Sequence, residues 1–257
     1  MNLVGYLFCS SIGRKIIMAV TGLILIGFVA GHLVGNLQIF QEPDHINGYG
    51  QFLHSLGALL WVARLVIIAS VVLHIWAATA LTLENKKARG TDYGFKHTIQ
   101  ATLASRAMRW TGYIVLAFLL YHLAHFTVGL AQTGTFKENL PHYTMGSDYR
   151  VAGFVAVKAG TPEVLDVYNM VVLGFQNPIV SLFYIIAVGL LSVHLLHGID
   201  SLFQTLGLRN AKWSAGLHKI AVVLCLVYFL GNLAIPGAVL AGKLQPRAAS
   251  VAAAHAK

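Results

Sequence analysis

Five long apolar runs, separated by polar segments, set the plan of this chain. They cover about residues 16–40, 56–82, 108–131, 178–202 and 216–240. At 1.5 Å per residue, each is long enough to cross an apolar layer of ~30 Å with some tilt. The pattern predicts an all-α integral membrane protein with five transmembrane helices. The stretch near Val151–Val157 is apolar but too short for a sixth span.

Composition sharpens this picture. The chain is 57% hydrophobic and 11% charged, about half the charged share of a soluble domain. A net charge of +9 would suit nucleic acid, but the lysines and arginines lie mainly in short loops and form no basic helical face, so a nucleic-acid partner is not expected. Cys9 and Cys225 form no CxxC and no disulfide framework. Arg14 and Lys15 precede an apolar run much longer than a signal core, so the first span is expected to stay in the membrane.

Loop charges orient the spans. Arg14 and Lys15 precede the first. Lys86, Lys87, Arg89, Lys96, Arg106 and Arg109 lie between the second and third, and Arg209 and Lys212 between the fourth and fifth. Five spans bring all three groups to one side, which the positive-inside rule assigns to the cytoplasm. The expected location is the bacterial cytoplasmic membrane, N-terminus inside and C-terminus outside. Glu42 and Asp44 mark a short first external connection. The second, about 132–177, is expected to fold over the outer surface. One membrane domain is expected over 1–245, with a flexible tail over 246–257.

Four histidines stand within apolar helices, one on each of the first four spans: His32, His74, His122 and His194. An ionisable side chain in hydrocarbon is costly and marks a functional site by default. His32 lies about 24 Å and His122 about 21 Å along spans that enter from inside. His74 lies about 27 Å and His194 about 24 Å along spans that enter from outside. The depths separate into an outer pair, His32 with His122, and an inner pair, His74 with His194. A hydrogen bond to another helix explains any one such histidine. Four at paired depths point to metal ligation, with haem iron as the metal. Two histidines can fill both axial positions of a haem iron, which favours electron transfer over oxygen chemistry. Gly27, Gly31 and Gly35 form a ladder around His32 that permits close approach.

The strings around these residues are GHLVGN at His32, VVLHIWAA at His74, RWTGYIVLAFLLYH ending at His122 and FYIIAVGLLSVHLLHG around His194. Over roughly residues 10–240 the chain resembles the dihaem cytochrome b membrane anchor of succinate dehydrogenases and fumarate reductases, in its single-subunit, five-helix form. The resemblance implies that the first four helices form a haem-binding bundle. It implies two haems b, with His32 and His122 on the outer iron and His74 and His194 on the inner. It further implies electron transfer between an iron–sulfur subunit and membrane quinone. FAD and the iron–sulfur clusters would reside in flavoprotein and iron–sulfur partners on the cytoplasmic side. The dicarboxylate chemistry belongs to those partners, since this chain holds no dinucleotide fold and no cysteine cluster. His125 and His197, three residues beyond His122 and His194, are alternative ligands.

Arg64 is a candidate partner for an outer-haem propionate and Arg109 for an inner one. Lipid contact and positive-inside anchoring are the competing explanations. Asn47, Gln51 and His54, at the outer entry to the second span, are quinone-binding candidates. Acidic residues that some members of the family carry at that entry and beside the inner ligand have no counterpart here, where Ser192 stands two residues before His194. Two other readings of the sequence are a dihaem anchor for a different quinone-linked oxidoreductase and a proton-coupled transporter using unmodified histidines.

Overall fold

A computed structural model describes residues 3–89 and 103–246. Lys96, His97, His255 and the expected flexible tail from residue 247 onward lie outside the described residues. In chain order the helices are α1 (Leu3–Cys9), α2 (Ser11–Asn36), α3 (Pro43–Ser55), α4 (Ala58–Arg89), α5 (Leu103–Phe126), α6 (Val167–Gln176), α7 (Pro178–Thr205) and α8 (Ser214–Leu240). Among the described residues α2, α4, α5, α7 and α8 are long and apolar enough to cross a membrane. The chain is a multi-pass all-α membrane protein.

Local chemistry sets the helix ends. Ser10 caps α2, its hydroxyl oxygen accepting from the Gly13 N–H at 2.9 Å. Gly13 is needed there because a side chain would collide with the backbone of Tyr6 and Leu7. Asn177 caps α7 by accepting from the Ile179 N–H at 3.0 Å, with Pro178 as the first helical residue. The third span stops at Phe126 rather than near residue 131. Gly129 adopts φ +75°, and the Leu130 N–H turns back to the Ala124 carbonyl at 2.8 Å. The Phe136 ring occupies the space a side chain on Gly129 would need. The resulting left-handed stop ends the helix about a turn early.

The spans pack in neighbouring pairs. α2 lies mainly against α4, α5 against α7, and α8 against α7 and α2. At the basic end, here called the inner end, Arg14 of α2 forms an ion pair with Glu84 of α4. His218 of α8 meets Asp200 of α7 at 2.8 Å. Leu23, Val62, Leu65 and Val223 are among many large apolar side chains left exposed on the spans, as lipid-facing surfaces require.

The connections at the opposite end are more structured than the sequence pattern indicated. The first holds α3, started by Pro43 with Asp44 in its first turn. The second holds an antiparallel hairpin of β1 (Tyr149–Val151) and β2 (Phe154–Val157), followed by α6. The apolar stretch judged too short for a span is therefore this hairpin, turned at Ala152 and Gly153, both with positive φ. An apolar core of Ile39, Ile46, Val172, Phe175, Tyr184 and Ile235 joins α3, α6, α7 and α8.

Two buried carboxylates pin these connections down. Asp44 accepts from the Tyr143 hydroxyl at 2.6 Å, the Gly146 N–H at 2.9 Å and the Ser147 hydroxyl at 2.9 Å. Asp166 caps α6 through the Asn169 N–H at 3.0 Å, while the fully buried Asn47 accepts from the Tyr168 N–H at 2.9 Å. Replacing Asp44 by Ala removes its hydrogen bonds to Tyr143, Gly146 and Ser147, at a cost of roughly 2–4 kcal/mol. Limited proteolysis of the detergent-solubilised chain should cut the 141–165 segment of D44A faster than that of the parent. Equal cutting rates would show that Asp44 does not hold it.

Candidate functional site

The inner pair is held from two sides. His74 projects from α4 to α2, where its Nδ1 lies 3.1 Å from the Thr21 hydroxyl. His194 projects from α7 to α5, where its Nδ1 lies 3.2 Å from the Thr111 hydroxyl. His74 and His194 thus stand at the level of Thr21 and Thr111, eleven residues before His32 and His122 on their helices. Gly22 lies beside the His74 ring and Gly112 beside the His194 ring: a Cβ there would stand 3.5 and 3.7 Å from the respective Cε1 atoms.

The outer pair faces directly. The rings of His32 and His122 are 5.7 Å apart between centroids, edge to face at 89°. Phe28 stacks on His32 at 5.4 Å, and Phe118, Phe126 and Tyr184 surround His122 at 5.8–6.0 Å. The Nδ1 of His122 is buried with no hydrogen-bond partner.

His125 is built into the packing instead. Its ring stacks on Phe126 with centroids 3.8 Å apart, and its Nδ1 lies 3.0 Å from the Tyr184 hydroxyl. Gly174 of α6 closes over Nε2: a Cβ there would be 3.0 Å away. On the inner side His197 bonds within its own helix to the Ser201 hydroxyl at 3.0 Å. The glycine ladder divides. Gly35 is tightly approached, since a Cβ there would lie 2.6 Å from the Tyr49 ring, whereas added Cβ atoms at Gly27 and Gly31 meet nothing within 4 Å. Close helix approach therefore explains Gly35 alone. Among the described residues no three or more His, Cys, Asp or Glu gather as a metal site.

Comparison of the chain with family models, with curated proteins and with solved structures finds no match.

The remaining candidates spread over both faces. Arg64 is half-buried, its guanidinium over the Trp61 ring at 4.9 Å. Arg109 is exposed near the inner end of α5. Asn47 is committed to Tyr168 and Asp166. Gln51 and His54 line a cavity of ≈ 20 Å³ with Gly50, Lys137, Leu165 and Val167. The structure thus separates Asn47 from its two neighbours and adds Lys137, a loop residue distant in sequence that no pattern around the second span reveals. Thr21 and Thr111 were also missed. The TG dipeptide was visible within RWTG, but only the folded chain brings each hydroxyl to a histidine on the next span.

Burial, then the charges of Lys137 and Arg64, lower the His54 pKa, with Glu138 opposing. Burial likewise lowers that of Lys137, partly offset by Glu138. His54 therefore stays neutral into the range where a free histidine, pKa about 6.5, takes up a proton. The unfolded chain binds that proton first, so this contribution to stability falls as pH drops below about 6.5. Replacing Lys137 by Gln should move the His54 midpoint upward in an NMR titration. An unmoved midpoint would leave burial and the Arg64 charge as the causes.

Proposed function

We propose that this chain is the dihaem cytochrome b subunit of a succinate:quinone oxidoreductase. In that reading it carries electrons between an iron–sulfur subunit and membrane quinone in a bacterial cytoplasmic membrane. The observation that carries the reading is the gathering of four span histidines into two pairs at two levels. On α2 and α5, Thr21 to His32 and Thr111 to His122 are each eleven residues, so the levels are separated by roughly 16 Å along the helices.

The residues fit the group. His32 and His122, with ring centroids 5.7 Å apart, would hold the outer group, and His74 and His194 the inner one. Two imidazole nitrogens on α5 are buried without the hydrogen bond such atoms normally make, Nδ1 of His122 and Nε2 of His125. The neighbouring alternative fits less well: Gly174 stands against the Nε2 of His125, where a metal–nitrogen bond would have to form. Bound at these pairs, haems b would supply one-electron carriers at the inner and outer levels.

The chain's own residues supply the rest. His32, His74, His122 and His194 donate nitrogen lone pairs, and the aromatic side chains around His122 exclude water. Arg64 and Arg109 are the candidate propionate partners at the two levels. Gln51 and His54, with Lys137, are the polar side chains that would meet a quinone head; their cavity of ≈ 20 Å³ has room for about one water, so the head would have to open it. The basic inner loops offer a docking face to the iron–sulfur and flavin-bearing partners.

Pyridine haemochrome analysis of the purified chain should find two haems b. Alanine at His32 or His122 should remove one of them, alanine at His74 or His194 the other, and alanine at His125 neither. A count of zero would end the reading. Loss of different haems within one pair would end the pairing.

A further inference from the structure

The threonine–glycine dipeptide occurs at equivalent places in two spans. Thr21–Gly22 on α2 and Thr111–Gly112 on α5 each stand eleven residues before an outer-pair histidine. Eleven residues make three turns and about 20°, so each threonine shares a helix face with its histidine. That face therefore serves both levels, supplying an imidazole to the outer one and a hydroxyl to the inner one.

We propose that Thr21 and Thr111 are positioning residues that fix the tautomer of His74 and His194, so that both inner imidazoles present an Nε2 lone pair. This rests on the reading that the inner pair ligates haem iron.

A hydroxyl has one proton to give. Thr21 gives it to the Ile17 carbonyl at 2.7 Å, with Met18 further off at 3.2 Å. Thr111 shares it between the carbonyls of Ala107 and Met108, both at 3.1 Å. With that proton committed, each Oγ1 meets its imidazole as an acceptor. The Nδ1 atoms of His74 and His194, at 3.1 and 3.2 Å, must then carry the hydrogen. A neutral ring protonated at Nδ1 holds its lone pair at Nε2.

A mid-helix threonine bonded to its own preceding turn is ordinary and requires no ligand. What that explanation omits is the second contact: the same hydroxyl atom against the same ring atom, across helices, at two equivalent positions. The outer level lacks this arrangement at His122, whose buried Nδ1 has no partner. An acceptor on Nδ1–H strengthens the donation of Nε2 to a metal and stabilises its oxidised state. Thr21 and Thr111 therefore lower the potential of the inner haem and leave the outer one alone.

The test is a redox titration of the full chain carrying T21V, T111V, T21S or T111S, with the haem lost in H74A marking the inner centre. Both valine variants should raise the inner potential and leave the outer one unchanged, and serine should restore the parent value. Loss of the inner haem alone from a valine variant, with recovery in serine, counts the same way. An intact outer haem signal certifies the fold in each case. Two haems with unmoved potentials, or a serine shift as large as the valine shift, would overturn the positioning role while the dihaem reading stands. A parent chain that binds no haem would overturn that reading and the role together.

Discussion

In hydrocarbon, an imidazole has no water to fall back on. Each ring nitrogen must find a partner inside the protein or carry the cost of lacking one. The four span histidines meet that demand differently at the two levels. His74 and His194 lean on threonine hydroxyls that also lie within hydrogen-bond reach of carbonyls on their own helices. His32 and His122 sit edge to face among aromatic rings, and the Nδ1 of His122 goes unsatisfied. Much of the neighbouring packing answers to the same demand. Tyr184 presents its hydroxyl to one nitrogen of His125, though the other, Nε2, lies against Gly174 without a hydrogen-bond partner.

The extramembrane layer works by a different physics. Carboxylates and amides there are buried between connections rather than between spans. Asp44 gathers three donors from a loop about a hundred residues away in sequence, and Asn47 joins α3 to the start of α6. These bonds clamp the polypeptide outside the spans onto the helix ends. The spans themselves keep apolar side chains outward for lipid. Polar satisfaction thus organises both regions, through long-range hydrogen bonds in one and histidine–threonine contacts in the other.

The five spans could be read from the sequence because a twenty-residue apolar run has few other uses in a chain this poor in charge. The pairing of His32 with His122 could be read because topology and helix rise fix depth without any knowledge of packing. The helix ends were less accessible. Gly129 ends α5 early through its contact with Phe136, which no local pattern displays. The helical and hairpin content of the connections was hidden because α3 and β1–β2 depend on partners far along the chain, such as Asp44 with Tyr143 and Gly146. Asn47 looked available for a ligand at the mouth of the second span, and its engagement with Tyr168 emerges only when α6 folds over it. Lys137 was overlooked for the converse reason, reaching the cavity of Gln51 and His54 from a loop.

The recurring Thr-Gly and histidine spacing has a consequence for symmetry. α2 with α4, and α5 with α7, carry the same arrangement: a Thr-Gly and a histidine on the first helix, and on the second a histidine that meets that threonine. His32 corresponds to His122, and His74 to His194. Equivalent positions of the two helix pairs therefore stand together in the outer pair. α8 has no counterpart in this correspondence and packs mainly against α7.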